Sequence, residues 1–411
     1  MARVWGEADV DAIDSGNEMN AKACEHNAAS PANHFGHALM KAALGLPLAL
    51  PLALPLGLGL AVQARADSAP DKALVSFKYL DYLDSQPGFD RIRVKAPSVL
   101  IVKPLSSEWS VSSTYTADAI SGASPAFHTQ ALKTMHDERH ALDVSATRYL
   151  SLGTRTFGGS YSKEADYLSR GLFYAMTESD ESKNSTWNAG VSISSDQINP
   201  TNHVVMNETK QSYAVIMGLT QVFNMNNIAQ FQLGHYSGKG DYSDPYKVFD
   251  NRPRERVNNT FTARWNHYMP NSESTLKMGY RYYEDDWGIR AHTWDAEWVK
   301  PVGNGWTLSP SLRLYTQTAA DFFINADTSG SPFPPFPTPG STYYSEDQRM
   351  SGYGAHTYGL KVSKYLDADT WVDLKIEQYQ QRGSWKLLGS GSTGMDAFLA
   401  KSIQVGLSHY F

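Results

Sequence analysis

The chain has 411 residues, 41% of them hydrophobic and 12% aromatic, with a net charge of −6. The mild acidity argues against nucleic acid as a partner, and the single cysteine, Cys24, leaves no disulfide framework and no cysteine-ligated zinc. A soluble chain of this length would be two or more domains, whereas a membrane β-barrel also keeps mean hydropathy low, because only alternate residues meet lipid.

Residues 1–39 carry Glu7, Asp9, Asp11, Asp14, Glu18 and Glu25 against Arg3 and Lys22, which does not suit the basic start of an export signal. They read as an extension from a start codon set too early, with Met40 or Met19 as the first residue, or as a disordered tail. His26, His34 and His37 match no common metal-ligand spacing. Met40-Lys41, the apolar run Ala42–Val62 and Ala64-Arg65-Ala66 follow in the order of a secretory signal peptide, so 40–66 is expected to be cleaved after Ala66. Pro47, Pro51 and Pro55 each remove a helical hydrogen bond, which argues against a membrane anchor. The exported domain, 67–411, then has no cysteine, which suits an oxidising periplasm.

Beyond Ala66 no apolar run is long enough for a transmembrane helix. Segments of about ten residues alternate apolar and polar instead, the pattern of a transmembrane antiparallel up-and-down β-barrel. The alternation predicts about sixteen strands (range 12–16). They lie near 73–82, 91–103, 109–118, 139–149, 153–163, 166–178, 184–196 and 210–223, then 227–238, 256–269, 274–284, 290–301, 305–317, 350–365, 370–383 and 396–411. The last is the clearest: Ile403, Val405, Leu407, His409 and Phe411 share one face, and Ser402, Gln404, Gly406, Ser408 and Tyr410 the other. Its final aromatic, Phe411, resembles the signal read by the outer-membrane assembly machinery, with His409 as a departure. Connections such as 105–108, 270–273 and 366–369 are short, and those at 119–138, 197–209, 239–255 and 318–349 are mostly long. That asymmetry separates periplasmic turns from extracellular loops. The longest loop holds Pro332-Phe333-Pro334-Pro335-Phe336-Pro337-Thr338-Pro339, an extended, solvent-facing segment that reads as a stiff surface loop or as a binding strip or plug.

Several strings resemble a family of predicted outer-membrane proteins whose shared domain has no assigned function. They are Pro97–Leu100, Tyr115–Asp118 leading into Ser121–Ser124, Asp244-Pro245-Tyr246-Lys247, Tyr280–Tyr283 through Asp286-Trp287-Gly288-Ile289 to His292-Thr293, and Ala320-Asp321-Phe322. The resemblance runs from about residue 73 to 411 and implies an outer-membrane barrel of a Gram-negative bacterium. It brings no activity, substrate or catalytic residues. Its members look as if they travel with a flavin-attaching enzyme and a thioredoxin-like protein, which implies a periplasmic redox partner. The chain itself has no dinucleotide-binding glycine pattern, and no cofactor is expected.

The polar faces of the predicted strands collect Arg264, Lys277, Arg281, Asp295, Glu297, Arg313, Lys361, Asp373, Lys375 and Glu377. Lipid-facing Arg or Lys at the midplane costs roughly 2–4 kcal/mol, so these charges are expected to face the lumen. There they either line a pore and set its ion preference or pair and close the interior. Asp285, Asp286 and His292 flank one turn and read either as a rim hydrolase or metal cluster or as a girdle histidine beside loop acids. Asp321 with Asp327, and Asp241 with Asp244, are acid pairs that do not follow an EF-hand spacing. The reading is therefore a non-enzymatic outer-membrane barrel, a pore or transporter for small polar or ionic solutes. A non-conducting barrel that serves an envelope redox or assembly system is the alternative, and a rim hydrolase the second alternative.

Overall fold

Alternation of apolar and polar residues puts every second side chain on one face of an extended chain, and sixteen such segments pair in sequence order. The computed structural model describes residues 68–123, 134–325 and 337–411. The export segment, Asp327 and much of the proline-rich loop lie outside the described residues. The first strands are β1 (Leu74–Gln86), β2 (Phe89–Pro104), β3 (Trp109–Ala123), β4 (Thr134–Leu150), β5 (Gly153–Lys163) and β6 (Tyr167–Ser179). Next come β7 (Ser185–Ile198), β8 (Glu208–Asn224), β9 (Asn227–Gly240), the short β10 (Asp250–Asn251), β11 (Glu255–Met269) and β12 (Ser274–Asp285). The last are β13 (Arg290–Gly303), β14 (Trp306–Gln317), the short β15 (Tyr344–Ser345), β16 (Tyr353–Tyr365), β17 (Thr370–Arg382) and β18 (Phe398–Tyr410).

All strands but β10 and β15 form one closed antiparallel barrel of sixteen strands. Closure is made by β1, which pairs with β2 on one side and with β18 on the other, from Leu74↔Tyr410 to Ser85↔Leu399. A closed ladder leaves no unpaired backbone edge, the condition for a sheet to sit in hydrocarbon. No helix of the described residues is long and apolar enough to cross a membrane.

The two faces differ in chemistry. Phe77, Ile101, Leu142, Leu172, Val191 and Met217 point outward and are 42–62% exposed, as are Leu233, Met278, Leu360, Ile376, Ile403 and Leu407. An apolar band of that extent is untenable in water and favourable in lipid. Inward positions on β2–β8 are mostly small and hydroxylic, linked by cross-strand bonds such as Ser98–Thr116, Thr154–Thr177 and Ser194–Ser212 (2.7–3.0 Å). Inward positions on β11–β18 carry charge and large aromatics instead.

Connection lengths sort the two ends. At one end the turns span 105–108, 151–152, 180–184, 225–226, 270–273, 304–305 and 366–369. At the other lie the long segments 199–207, 241–254, 318–352 and 383–397. We call these the turn end and the loop end.

Candidate functional site

Two features occupy the interior: a band of charge along β11–β17, and a cap that folds over it from the loop end.

The band is built by alternation. On β12, Met278 faces outward while Lys277, Gly279 and Arg281 face inward; on β13, Trp294 and Trp298 face outward while Asp295 and Glu297 face inward. Lys277 meets Glu297 at 3.2 Å, directly across from it in register. Asp295 lies over Gly279, where a Cβ would come within 2.1 Å of its Oδ2, and it is in register with Arg313 on β14. Arg264 on β11 is in register with Gly279, so the row runs Arg264, Gly279, Asp295, Arg313 across four strands. Arg281 sits beside Tyr283, its guanidinium carbon 5.8 Å from the ring centre. The Arg313 Nε is buried without a hydrogen-bond partner. On the far side Lys375 bonds Glu377 at 3.2 Å on the same strand, Lys361 lies opposite Lys375, and buried Asp373 faces Lys78 of β1 at 3.8 Å. Six cations against four anions leave the ten predicted residues with a positive excess. Some of them therefore pair, whereas the arginine-rich row is held mainly by one aspartate.

The cap comes from the loops 241–254 and 318–352. Their short strands β10 and β15 form a two-stranded sheet, Asp250↔Ser345 and Asn251↔Tyr344. Around it lies a buried ionic cluster. Arg252 donates to Asp250 (2.8 and 2.6 Å) and to Asp347 (2.7 Å), and all three side chains are at most 1% exposed. Arg349 donates to Asp347 and, at 2.9 Å, to Asp244. Burial works against the Asp347 carboxylate, yet Arg349, Lys247 and Arg252 outweigh it and hold its pKa well below the ordinary carboxylate range. Burial likewise opposes the Arg252 cation, and Asp250 and Asp347 more than restore it, so its pKa is raised. Asp244, Asp250 and Asp347 are close enough to suggest a metal site, but two guanidinium groups already neutralise them.

Beneath the ionic cluster the cap packs on aromatic side chains that line the loop end of β12–β18. Trp287 is 2% exposed, with Tyr242 edge-on at 5.4 Å, Phe322 edge-on at 5.3 Å and the Arg256 guanidinium 4.0 Å above its ring. Tyr283, Tyr315, Met350, Tyr353, Tyr379 and Phe398 complete the cluster. The loop 241–254 spans the mouth. On the hydroxyl-lined side Tyr242 meets Tyr236 (3.0 Å) and Tyr246 bonds Asp166 (2.5 Å), while on the aromatic side Asp244 holds Arg349.

The later family-like strings, at 244–247, 283–289 and 320–322, thus converge at the cap, whereas Pro97–Leu100 and Tyr115–Asp118 lie on β2 and β3. Asp285 accepts from Arg256, from the Tyr283 hydroxyl (2.8 Å) and from the backbone amides of Trp287 (3.1 Å) and Ile289 (2.9 Å). Asp286 accepts from the Val257 amide at 3.0 Å. Gly288 takes a positive φ of 85° against Asp321, where a Cβ would come within 2.3 Å of the carboxylate, and the Asp321 amide bonds the Trp287 carbonyl at 2.9 Å. His292 lies on the outer face, its Nδ1 2.8 Å from the Tyr280 hydroxyl and its ring stacked on Trp294. Asp285 and His292 therefore point to opposite faces of the wall and form no acid–histidine pair. Asp241 is occupied by the Ser243 amide (2.9 Å) and Asp244 by Arg349, so that acid pair is spent on the cap fold. Phe411 exchanges backbone hydrogen bonds with Ala73 at 2.9 Å and is exposed at the turn end.

Sequence reasoning missed the cap cluster. Its only local trace is alternating charge, Asp250-Asn251-Arg252-Pro253-Arg254-Glu255-Arg256 and Glu346-Asp347-Gln348-Arg349.

Among solved structures, the chain is similar to a bacterial polysaccharide outer membrane secretin. Identity is 6%, TM-score 0.48, over 82% of this chain and 98% of that one. It is also similar to a loop-deletion mutant of OmpT, an outer membrane protein of Vibrio cholerae (10%, 0.40, 83% and 100%). A third is OccK2 (OpdF) of Pseudomonas aeruginosa (9%, 0.42, 84% and 99%). At such identities and scores these likenesses say nothing of substrate or activity. No curated protein matches the chain. A family model described as "Protein of unknown function (DUF3570)" matches residues 126–209 and 202–401, well over half of the sequence, and the chain belongs to that family.

Proposed function

We propose that this chain is a Gram-negative outer-membrane pore or transport protein for small polar or ionic solutes, with the folded cap as the gate at its outer mouth. The observation that carries this reading is the partial water access of the inward ion pairs. Lys277, Glu297, Lys375 and Glu377 keep 22–29% side-chain exposure although they face the interior. A barrel of sixteen strands is wide enough to hold such water, and the surplus of cations over carboxylates in the band favours anions. In this reading residues 40–66 direct export and are removed, the apolar band meets outer-membrane lipid, and Phe411 serves recognition by the assembly machinery.

The second reading, a non-conducting barrel that serves an envelope redox or assembly partner, draws on the cap itself. Trp287, Tyr242, Met350 and Tyr353 are at most 2% exposed, as in a permanent core. Conductance of the refolded chain in a planar bilayer separates the two. A pore gives discrete openings whose anion preference falls in Arg281→Ala and in Arg313→Ala. A folded, heat-modifiable barrel that stays silent at every voltage, with the cap intact and with Asp347→Ala, refutes the pore.

A further inference from the structure

A second acidic cluster lies at the loop end, between β4 and the three-residue connection from β5 to β6. Asp137, Glu164 and Asp166 each present a carboxylate oxygen, and these atoms all lie within 4.8 Å of one another. Glu164 is 7% exposed, and its Oε2 is buried with no hydrogen-bond partner. The same holds for the Asp166 Oδ1, while its Oδ2 accepts from the Tyr246 hydroxyl at 2.5 Å. The cation nearest to hand, Arg139, bonds Asp118 at 2.5 Å, with both side chains buried. Beside the ion-paired Asp118 and Arg139, the carboxyl groups of Asp137, Glu164 and Asp166 share one largely buried corner. Isolated buried carboxylates are expensive, and two buried lone-pair sites left without donors add to that cost.

A bound dication removes both penalties. We propose that Asp137, Glu164 and Asp166 form a calcium site at the loop-end rim of the barrel. The donors are hard oxygens with no imidazole or thiolate among them, the set that calcium prefers. Oxygens at 2.3–2.6 Å from one calcium ion lie no more than about 5 Å apart, which these three satisfy. The site ties β4 to the β5–β6 connection and, through the Tyr246–Asp166 bond, to the capping loop. Calcium therefore steadies one anchor of the cap.

The test is calcium titration of the refolded, chelator-stripped full chain, by calorimetry and by terbium luminescence sensitised through Tyr246. One ion per chain is expected, with binding weakened roughly tenfold or more in Glu164→Gln and slower proteolysis at Lys247 in the calcium-loaded wild type. Should Glu164→Gln fail to give a heat-modifiable barrel, Asp137→Asn, a more accessible member, is read in its place. The proposal is overturned if the wild type takes up no calcium at millimolar concentration, the weak end of known calcium sites. Unchanged affinity in the folded variant, or tighter binding of magnesium than of calcium, overturns it equally.

Discussion

Asp347→Ala tests the gate most directly. The Asp347 carboxylate receives hydrogen bonds from Arg252 and Arg349 and from the Arg349 amide at 2.9 Å, at 1% exposure. Removing one partner of a buried ion pair costs about 3–5 kcal/mol, because the remaining charge is left without compensation. Here Arg252 keeps Asp250 and Arg349 keeps Asp244, so the lower end, about 3 kcal/mol, applies. Each 1.4 kcal/mol is tenfold, so the ratio of docked to undocked cap should fall by about a hundredfold. Among the described residues no barrel strand makes a hydrogen bond or ion pair to Asp347, and heat modifiability should stay as in the wild type. Trypsin cleavage after Lys247 and Arg254 reports the undocked fraction, since cleavage of a transiently opened segment follows its population. An increase of about two decades, together with longer channel openings, is expected. Cleavage within about threefold of the wild-type rate in a folded variant would refute the view that this cluster holds the cap.

Two further outcomes follow from the same geometry. Leu374→Arg places a cation on the outer face of β17, where Leu374 sits among Val362 and Val405 in register, and should cost about 2–4 kcal/mol in urea refolding into vesicles. Lys375→Gln, one residue on and facing inward, should cost far less; equal effects would refute the assignment of faces. The Glu164 carboxyl titrates at about 8 in the folded chain against 4.5 when unperturbed, through burial first. The native rim therefore holds one more proton than the unfolded one between those values, and its stability is full below pH 4.5 and falls as pH rises to 8. Across 3.5 pH units at 1.36 kcal/mol each, the calcium-free rim loses up to about 5 kcal/mol, read as faster exchange of the Glu164 amide. Glu164→Gln should abolish that slope.

The barrel was legible because lipid enforces alternation strictly, and each of the sixteen predicted segments overlaps one barrel strand. The misses have local causes. Asp84 fell in the expected connection 83–90, yet it faces inward against Arg91, both side chains 2% exposed and 3.8 Å apart, so β1 and β2 run on to a two-residue turn at Pro87-Gly88. At β16 the expected start fell on residue 350, but Asp347 caps a short 3₁₀ turn over Gln348–Met350 and the strand begins at Tyr353. The inward charges could be listed from sequence because lipid forbids them on the other face. β10 and β15 could not be found: each is two residues long, and their partners lie about ninety positions apart. Tertiary pairing over that distance leaves no periodic trace. Nor could spacing bring together Asp137, Glu164 and Asp166, which meet only because β4 and β5 are neighbours.

The cap's chemistry bears on how it could open. Aromatic packing such as Trp287 on Tyr242 and Phe322 is non-directional and tolerates many docked positions. Buried ion pairs add little net stability against a hydrophobic replacement, but each charge must find its partner or be stranded. Arg252, Arg256 and Arg349, set against Asp250, Asp285, Asp347 and Asp244, therefore select one docked position without making it much deeper. The two anchors of the 241–254 loop are also unlike. One is the salt cluster above the charged wall, and the other is Tyr246 on Asp166 above the hydroxyl wall. The first is shielded from counterions and its Asp347 carboxylate is held below the ordinary range by the arginines, whereas a cation at Asp137, Glu164 and Asp166 would act on the second. In the proposed pore, calcium at that rim would therefore bear on one end of the loop and leave the other unchanged.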